Sequence, residues 1–197
     1  MYLGKVSVIL LFEMSELTGQ LLVASPNMND PNFFRTVILV LRDEEDGTMG
    51  LILNRPVDIS VKDACEKILQ TTCEVEGNLH QGGPCEGPMM VLYSGQAYGE
   101  AMGDLKVLPG VWFITNKDEI ETVLGDSDSR VRCYIGYSGW TAGQLDAEIN
   151  AGAWLIHPAV EDFIFSENPR IWSKLMTRLT LGNDIDPTKI PDDPSVN

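Results

Sequence analysis

The chain has 197 residues, 44% of them apolar, enough for the core of one domain or at most two. Asp and Glu number 29 against 14 Lys and Arg, leaving a formal net charge of −15. A surface of that sign repels phosphodiester backbones, because nucleic-acid affinity comes from cations that displace condensed counterions, so direct nucleic-acid binding is excluded as an expectation.

From the N-terminus, the apolar run Val6-Ser7-Val8-Ile9-Leu10-Leu11-Phe12 is far shorter than the roughly twenty residues that span a bilayer. It lacks a small-residue cleavage site, and Glu13 and Glu16 follow closely, so no membrane segment and a cytoplasmic location are expected. Residues 21–25 read as a first strand, broken by Pro26 and Asp30-Pro31. Residues 36–41 and 49–53 are apolar runs of strand length joined by the acidic stretch 42–47, and Asp46-Gly47 marks a hairpin with a solvated loop. Ser60 caps a helix running to Leu69, with Val61, Ala64, Cys65, Ile68 and Leu69 as its buried stripe.

Residues 78–81, 89–93 and 111–115 read as further strands, and Asn116 opens a short helix ending near Gly125. A strand over 130–137 leads to a glycine-rich turn and a helix over 144–151, followed by a strand over 153–157 and a short helix over 159–165. A final helix over 169–181 turns Ile171, Trp172, Leu175, Met176 and Leu179 inward and carries Arg170, Lys174 and Arg178 as a solvated basic stripe. Hairpin-type links mixed with helical crossovers imply an α/β or α+β domain on a mixed sheet.

The densest segment is Gly136-Tyr137-Ser138-Gly139-Trp140-Thr141-Ala142-Gly143-Gln144. Read as a strand-to-helix turn, with Thr141 and Gln144 as a capping box, it delivers glycines to a helix N-terminus, where unpaired N–H groups can receive an anion or a polar head group. The other reading is that the glycines only supply positive φ and that Trp140 plugs the core. The spacing excludes a nucleophile elbow, since Trp140 stands where a glycine must follow Ser138 by two. There is no Walker lysine after Gly143 and no G-x-G-x-x-G.

This segment, together with Leu22-Val23-Ala24-Ser25-Pro26, Asp30-Pro31-x-Phe33, Gly50-Leu51-Ile52-Leu53-Asn54-Arg55-Pro56 and Gly82-Gly83-Pro84, resembles the YqgE/AlgH family of small bacterial proteins, with the blocks in the same order. The resemblance covers roughly residues 18–182. It implies a single domain whose sheet curls into a barrel-like core with flanking helices, over residues 14–182, leaving 1–13 as an N-terminal extension; residues 183–197, rich in Pro and Asp and poor in apolar side chains, are expected to be a disordered tail. It implies no reaction; some members carry a label as transcriptional regulators.

If the strand ends meet on one rim, Asn54 and Arg55, Gly82 and Gly83, and Gly136, Tyr137, Ser138, Gly139, Trp140 and Gln144 frame one pocket, with Arg55 supplying charge and the glycines backbone N–H groups. Otherwise each block is a separate turn and Arg55 pairs with a carboxylate. Glu148 shares a helix face with Gln144 but has no second catalytic group at fixed spacing, which favours a solvent-exposed carboxylate over a general base. Cys65, Cys73, Cys85 and Cys133 show no metal-ligand spacing, and with only two histidines no metal site or cofactor is expected. Cys85, in a loop after Gly82-Gly83-Pro84, is the candidate reactive thiol. The leading functional expectation is a non-catalytic ligand- or protein-binding regulatory module. The alternatives are an enzyme, hydrolase or transferase, acting on a phosphate-bearing metabolite, and an indirect transcriptional regulator.

Overall fold

Five consecutive residues, Val37 to Leu41, are fully buried, which a strand achieves only when both faces of its sheet are covered. A computed structural model describes residues 17–97 and 105–181, and the sheet in it is covered in that way. The expected extension over 1–13 and tail over 183–197 lie outside the described residues.

Ten strands are described: β1 (Gln20–Ala24), β2 (Val37–Glu44), β3 (Gly47–Ile52), β4 (Pro56–Ser60), β5 (Asn78–Gln81), β6 (Cys85–Ser94), β7 (Leu105–Leu108), β8 (Val111–Ile114), β9 (Val131–Thr141) and β10 (Trp154–Pro158). They form one sheet in the order β10-β1-β2-β3-β9-β6-β8-β7, with β5 joining β9 and β4 joining β5. Every pairing is antiparallel except β5 with β9, where His80 lies beside Tyr134 and Gln81 beside Ile135. The sheet curls into a half-barrel. Its two ends approach where a Cβ on Gly19, just before β1, would stand 2.8 Å from the Val107 carbonyl oxygen of β7. The chain is a mixed α+β domain with few helices: α1 (Val61–Ala64) running into a π turn (Cys65–Leu69), α2 (Lys117–Leu124), α3 (Gln144–Asn150), α4 (Glu161–Ile164) and α5 (Ile171–Leu181).

Alternation along the strands sorts side chains into three cores. Leu21, Val23, Leu39, Leu41, Leu92 and Tyr134 point inside the curl, where Phe163 and Ile164 of α4 and Ile171 and Leu175 of α5 fill it. On the outer face Val91, Tyr93 and Cys133 pack under α1, the π turn and α2. Leu22, Ala24, Ile38 and Val40 pack beside Trp140, Trp154 and Leu145 of α3.

Several expectations are corrected. The acidic stretch is mostly strand: β2 runs to Glu44 and β3 starts at Gly47, leaving Glu45 and Asp46 as the turn. Ser60 does cap α1, accepting from the Asp63 N–H at 3.0 Å, but the helix widens into the π turn after one turn. The extra residue in that turn rotates Ile68 off the buried stripe, to 43% exposure. β4 opens on Pro56, tolerable because β4 lies at the end of its pairing chain, and β7 is four residues long. Neither stands out in the sequence. The basic stripe of α5 is not simply solvated: Lys174 Nζ lies 5.9 Å and the Arg178 guanidinium 5.1 Å from the centre of the Phe163 ring.

Candidate functional site

The glycine-rich segment is strand, not turn. β9 continues through Gly136, Tyr137, Ser138, Gly139 and Trp140 to Thr141, and the turn is only Ala142-Gly143. The cause is visible in the partners of β9: its first half pairs with β6 and β5, and its last four residues pair with β3. Gly136, at φ +70°, stands where the neighbour on one edge changes from β5 to β3, and Gly82 closes that junction. The Gly82 N–H donates to the Ile135 carbonyl at 2.9 Å, while the Gly82 carbonyl accepts from the Ile52 N–H at 2.8 Å and from the Ser138 hydroxyl at 3.1 Å.

The three corners therefore do come together, and Arg55 joins them through its carbonyl, which accepts from the Gln81 N–H at 2.8 Å. They meet as backbone against backbone. A Cβ on Gly82 would stand 2.2 Å from the Gly136 carbonyl oxygen, and one on Gly83 2.3 Å from the Tyr137 carbonyl carbon. These glycines face main chain at contact distance, and a ligand-sized gap does not fit between the paired segments. Ser138 is fully buried.

Nor do the glycines open a helix N-terminus. Half of the expected capping box forms: the Gln144 Oε1 accepts from the Thr141 N–H at 3.1 Å and from its hydroxyl at 3.2 Å, but no side chain caps α3, whose N-cap is Gly143 at φ +72°. Glu148, expected as an exposed carboxylate, is half-buried and structural. Its Oε2 accepts from the indole N–H groups of Trp140 at 3.0 Å and Trp154 at 2.7 Å, and its Oε1 accepts from the Gln144 amide at 3.0 Å. Phe33 completes the cluster, stacked on Trp140 at 6.2 Å and edge-on to Trp154 at 5.5 Å between ring centres.

Cys85 is the first residue of β6 rather than a loop residue, half-buried beside Tyr137 and Gly139. Among the described residues no group of three His, Cys, Asp or Glu is arranged to hold a metal ion.

A more open arrangement lies on the far side of Asn54 and Arg55. Asn54 ties the strand end to the loop before β2, accepting from the Val37 N–H at 2.9 Å and donating to the Arg35 carbonyl at 2.9 Å. Arg55 donates through Nη2 to the next carbonyl along, that of Phe34, at 2.5 Å. Arg35 takes a left-handed φ of +54°, sparsely populated for a residue with a side chain. Its guanidinium lies 5.1 Å from the Phe34 ring centre and 5.3 Å from that of Trp172, whose indole is fixed by donating to the Ala24 carbonyl at 2.7 Å. Phe34 is 45% exposed. Among the described residues neither Arg35 nor Arg55 makes an ion pair, although most other arginines do: Arg42, Arg130 and Arg132 each hold a carboxylate. Partial burial lowers the Arg55 pKa below its ordinary value. The sequence contained Arg55, but nothing in it marked Arg35 or Trp172 as its companions; a positive φ on an arginine and a contact across more than a hundred residues leave no local pattern.

A second polar group is sealed inside. Arg132, 4% exposed, donates to the carbonyls of Leu53, Ile164 and Ser166 at 3.4, 2.8 and 2.9 Å and to the Glu167 carboxylate at 2.6 Å, so it caps α4 and the chain after it. Next to it on the same face, the fully buried Tyr134 hydroxyl has no hydrogen-bond partner among the described residues. Burial raises the Tyr134 pKa, against the pull of Arg132. Buried His80, 5.6 Å from the Tyr134 ring centre, is pushed down to about 4 by desolvation and then by the Arg132 charge, so its imidazole is neutral near pH 7.

Residues 21–183 match the family described as DUF179, AlgH-like. The chain belongs to the AlgH-like family. This AlgH-like chain is similar to a UPF0301 protein of Chlorobium chlorochromatii, 40% identical over 172 residues, 82% of this chain and 86% of the relative. A UPF0301 protein of Thermobifida fusca is 33% identical over 204 residues, covering 92% and 96%. Among solved structures, the solution structure of the AlgH protein from Pseudomonas aeruginosa superposes with a TM-score of 0.64 at 29% identity, covering 84% of this chain and 89% of that one. Protein DIP2367 from Corynebacterium diphtheriae superposes with a TM-score of 0.67 at 24% identity over 85% and 91%, a likeness of fold alone.

Proposed function

We propose that this AlgH-like chain is a non-catalytic binding module, regulatory in role, that takes a small anionic ligand or an anionic group of a partner on the face built by Phe34, Arg35, Asn54, Arg55 and Trp172. The observation that carries this reading is the pair of guanidinium groups without a carboxylate among the described residues, on a chain of net charge −15. Acidic side chains are abundant and Arg42, Arg130 and Arg132 hold them, whereas Arg35 and Arg55 both converge on Phe34 without one, Arg35 held by aromatic faces and Arg55 by a backbone carbonyl. Each retains guanidinium donors suited to a carboxylate or phosphate. Phe34 adds an exposed apolar surface for the body of the bound molecule.

The reading keeps transcription, if it is affected, at one remove, through a partner and not through DNA contact. Four free thiols support a cytoplasmic setting as part of the same proposal. The test is a titration with inorganic pyrophosphate at constant ionic strength, followed by amide NMR. Shifts confined to residues 33–36, 54–56 and the start of α5, lost in Arg35→Gln and in Arg55→Gln, are expected. Shifts that sodium chloride reproduces, or that survive both substitutions, would remove the proposal. Native mass spectrometry of protein purified from its own host then identifies the retained molecule.

A further inference from the structure

Three of the four cysteines, two from neighbouring turns of chain and one from a distant strand, gather under the outer helices. Cys65 opens the π turn and Cys133 lies on β9, both fully buried in the same apolar cluster, and Cys73 packs against that cluster from the segment after the turn. The Cys73 thiol lies close enough to Cys65 to add to the rise of its pKa, and the Thr71 N–H, two residues before Cys73, donates to the Cys65 carbonyl at 3.3 Å. Their surroundings differ. Cys65 has no exposed surface, whereas Cys73 is half-exposed and lines a cavity of about 210 Å³ with Thr71, Glu121 and Leu124.

We propose that Cys73 and Cys65 are a peroxide-responsive thiol pair, in which Cys73 is the attacked thiol and Cys65 the resolving one. The cavity admits a small hydroperoxide to Cys73 and nothing to Cys65. The Cys73 thiolate attacks the O–O bond, forming a sulfenic acid and releasing water or an alcohol. Cys65 sulfur then attacks the sulfenic sulfur, the S–O bond breaks, and the hydroxide leaves as water with the Cys65 proton. Two thiols and one hydroperoxide thus yield one disulfide, the two electrons passing to the oxidant. Burial pushes the Cys65 pKa up to about 12, with Cys73 adding to the rise, so Cys65 is not the thiol that a peroxide attacks first.

The backbone permits closure. Residues 72–76 belong to no helix or strand, and Lys62 tethers them at the surface through Glu74 at 3.5 Å and Glu76 at 2.8 Å. Gln70, at the end of the π turn, already takes a left-handed φ of +58°, which turns the chain back toward Cys65. A disulfide would pin this segment to the π turn and narrow the cavity that admitted the oxidant. In a reducing compartment such a bond is transient, as expected of a sensor.

The experiment treats the full folded chain, freed of reductant, with one equivalent of hydrogen peroxide, then alkylates under denaturing conditions and maps the peptides. Two thiols should escape alkylation, the peptides bearing Cys65 and Cys73 should be linked, and dithiothreitol should reverse the link. Cys65→Ser should leave a Cys73 sulfenic acid that dimedone traps. If that buried variant does not fold, Cys73→Ser, at a half-exposed position, decides: the link must be lost. A disulfide through Cys85 or Cys133, overoxidation of Cys73 without a link in the unsubstituted chain, or four thiols still alkylatable at a peroxide dose that oxidises a free cysteine peptide would each overturn the proposal.

Discussion

Glu148 makes the sharpest stability prediction, because one carboxylate oxygen serves two buried donors. In Glu148→Ala the indole N–H groups of Trp140 and Trp154, on residues 5% and 2% exposed, lose their acceptor. A buried donor left unsatisfied costs about 1–3 kcal/mol, so the two together should cost about 4 kcal/mol, a large part of the roughly 5–15 kcal/mol that stabilises a domain. Gln144 is exposed and adds little, since its amide finds water. Glu148→Gln keeps one acceptor oxygen and loses only the charge on it; exchanging charge-assisted for neutral bonds should cost about 1–2 kcal/mol. Urea unfolding followed by far-ultraviolet circular dichroism at pH 7 measures both. In a Trp154→Phe background the cost of Glu148→Ala should fall by about half, because one donor is already gone. If Glu148→Ala lies within about 0.5 kcal/mol of the unsubstituted chain, Glu148 is a solvated carboxylate and the account of the tryptophan pair is wrong.

Other consequences can be measured in the same way. Gly82→Ala places its Cβ 2.2 Å from the Gly136 carbonyl oxygen and should cost more than about 3 kcal/mol, whereas Gly152→Ala, at φ +75° with open space around it, should cost only about 1–2 kcal/mol. Equal effects would mean that the backbone at Gly82 gives way to the added Cβ at little cost. Tyr134→Phe removes a hydroxyl that has no partner among the described residues, so stability should be unchanged or rise by about 1 kcal/mol; a loss larger than that would reveal a partner. The depressed His80 pKa contributes nothing to pH dependence above about pH 6.5, where folded and unfolded chains are both neutral. Between there and about 4 only the unfolded chain binds the proton, so stability falls as pH falls. The stability difference between the unsubstituted chain and His80→Gln should shift by about 2 kcal/mol from pH 7.5 to pH 5, and a constant difference would show that His80 titrates normally.

Most of the strands were legible because they are long apolar runs: residues 111–115 match β8 to within one position, and 36–41 fall on β2, which runs three residues further into the acidic stretch. Asn116 announced α2 through its cap, accepting from the Asp118 N–H at 2.9 Å. The site was harder. Glycine reads locally as a breaker, and Gly136 and Gly139 made a turn of what is the second half of β9; their purpose is set by β5 and β6, which no window of sequence contains. Thr141 and Gln144 carried a true signal whose other half the structure does not use. Arg35 and Trp172 meet only after the chain has folded, and side chains joined by tertiary packing alone leave no spacing to read.

β9 contributes Tyr134 to the interior of the curl, Cys133 to the layer beneath α1 and α2, and Trp140 to the aromatic cluster beside α3. With one element common to every apolar region, there is no seam along which the protein can be parted into halves that keep their own cores. Fragment complementation should therefore work with a nick at Glu45-Asp46, outside that shared element and in an exposed hairpin tip, and fail with one between Tyr137 and Ser138.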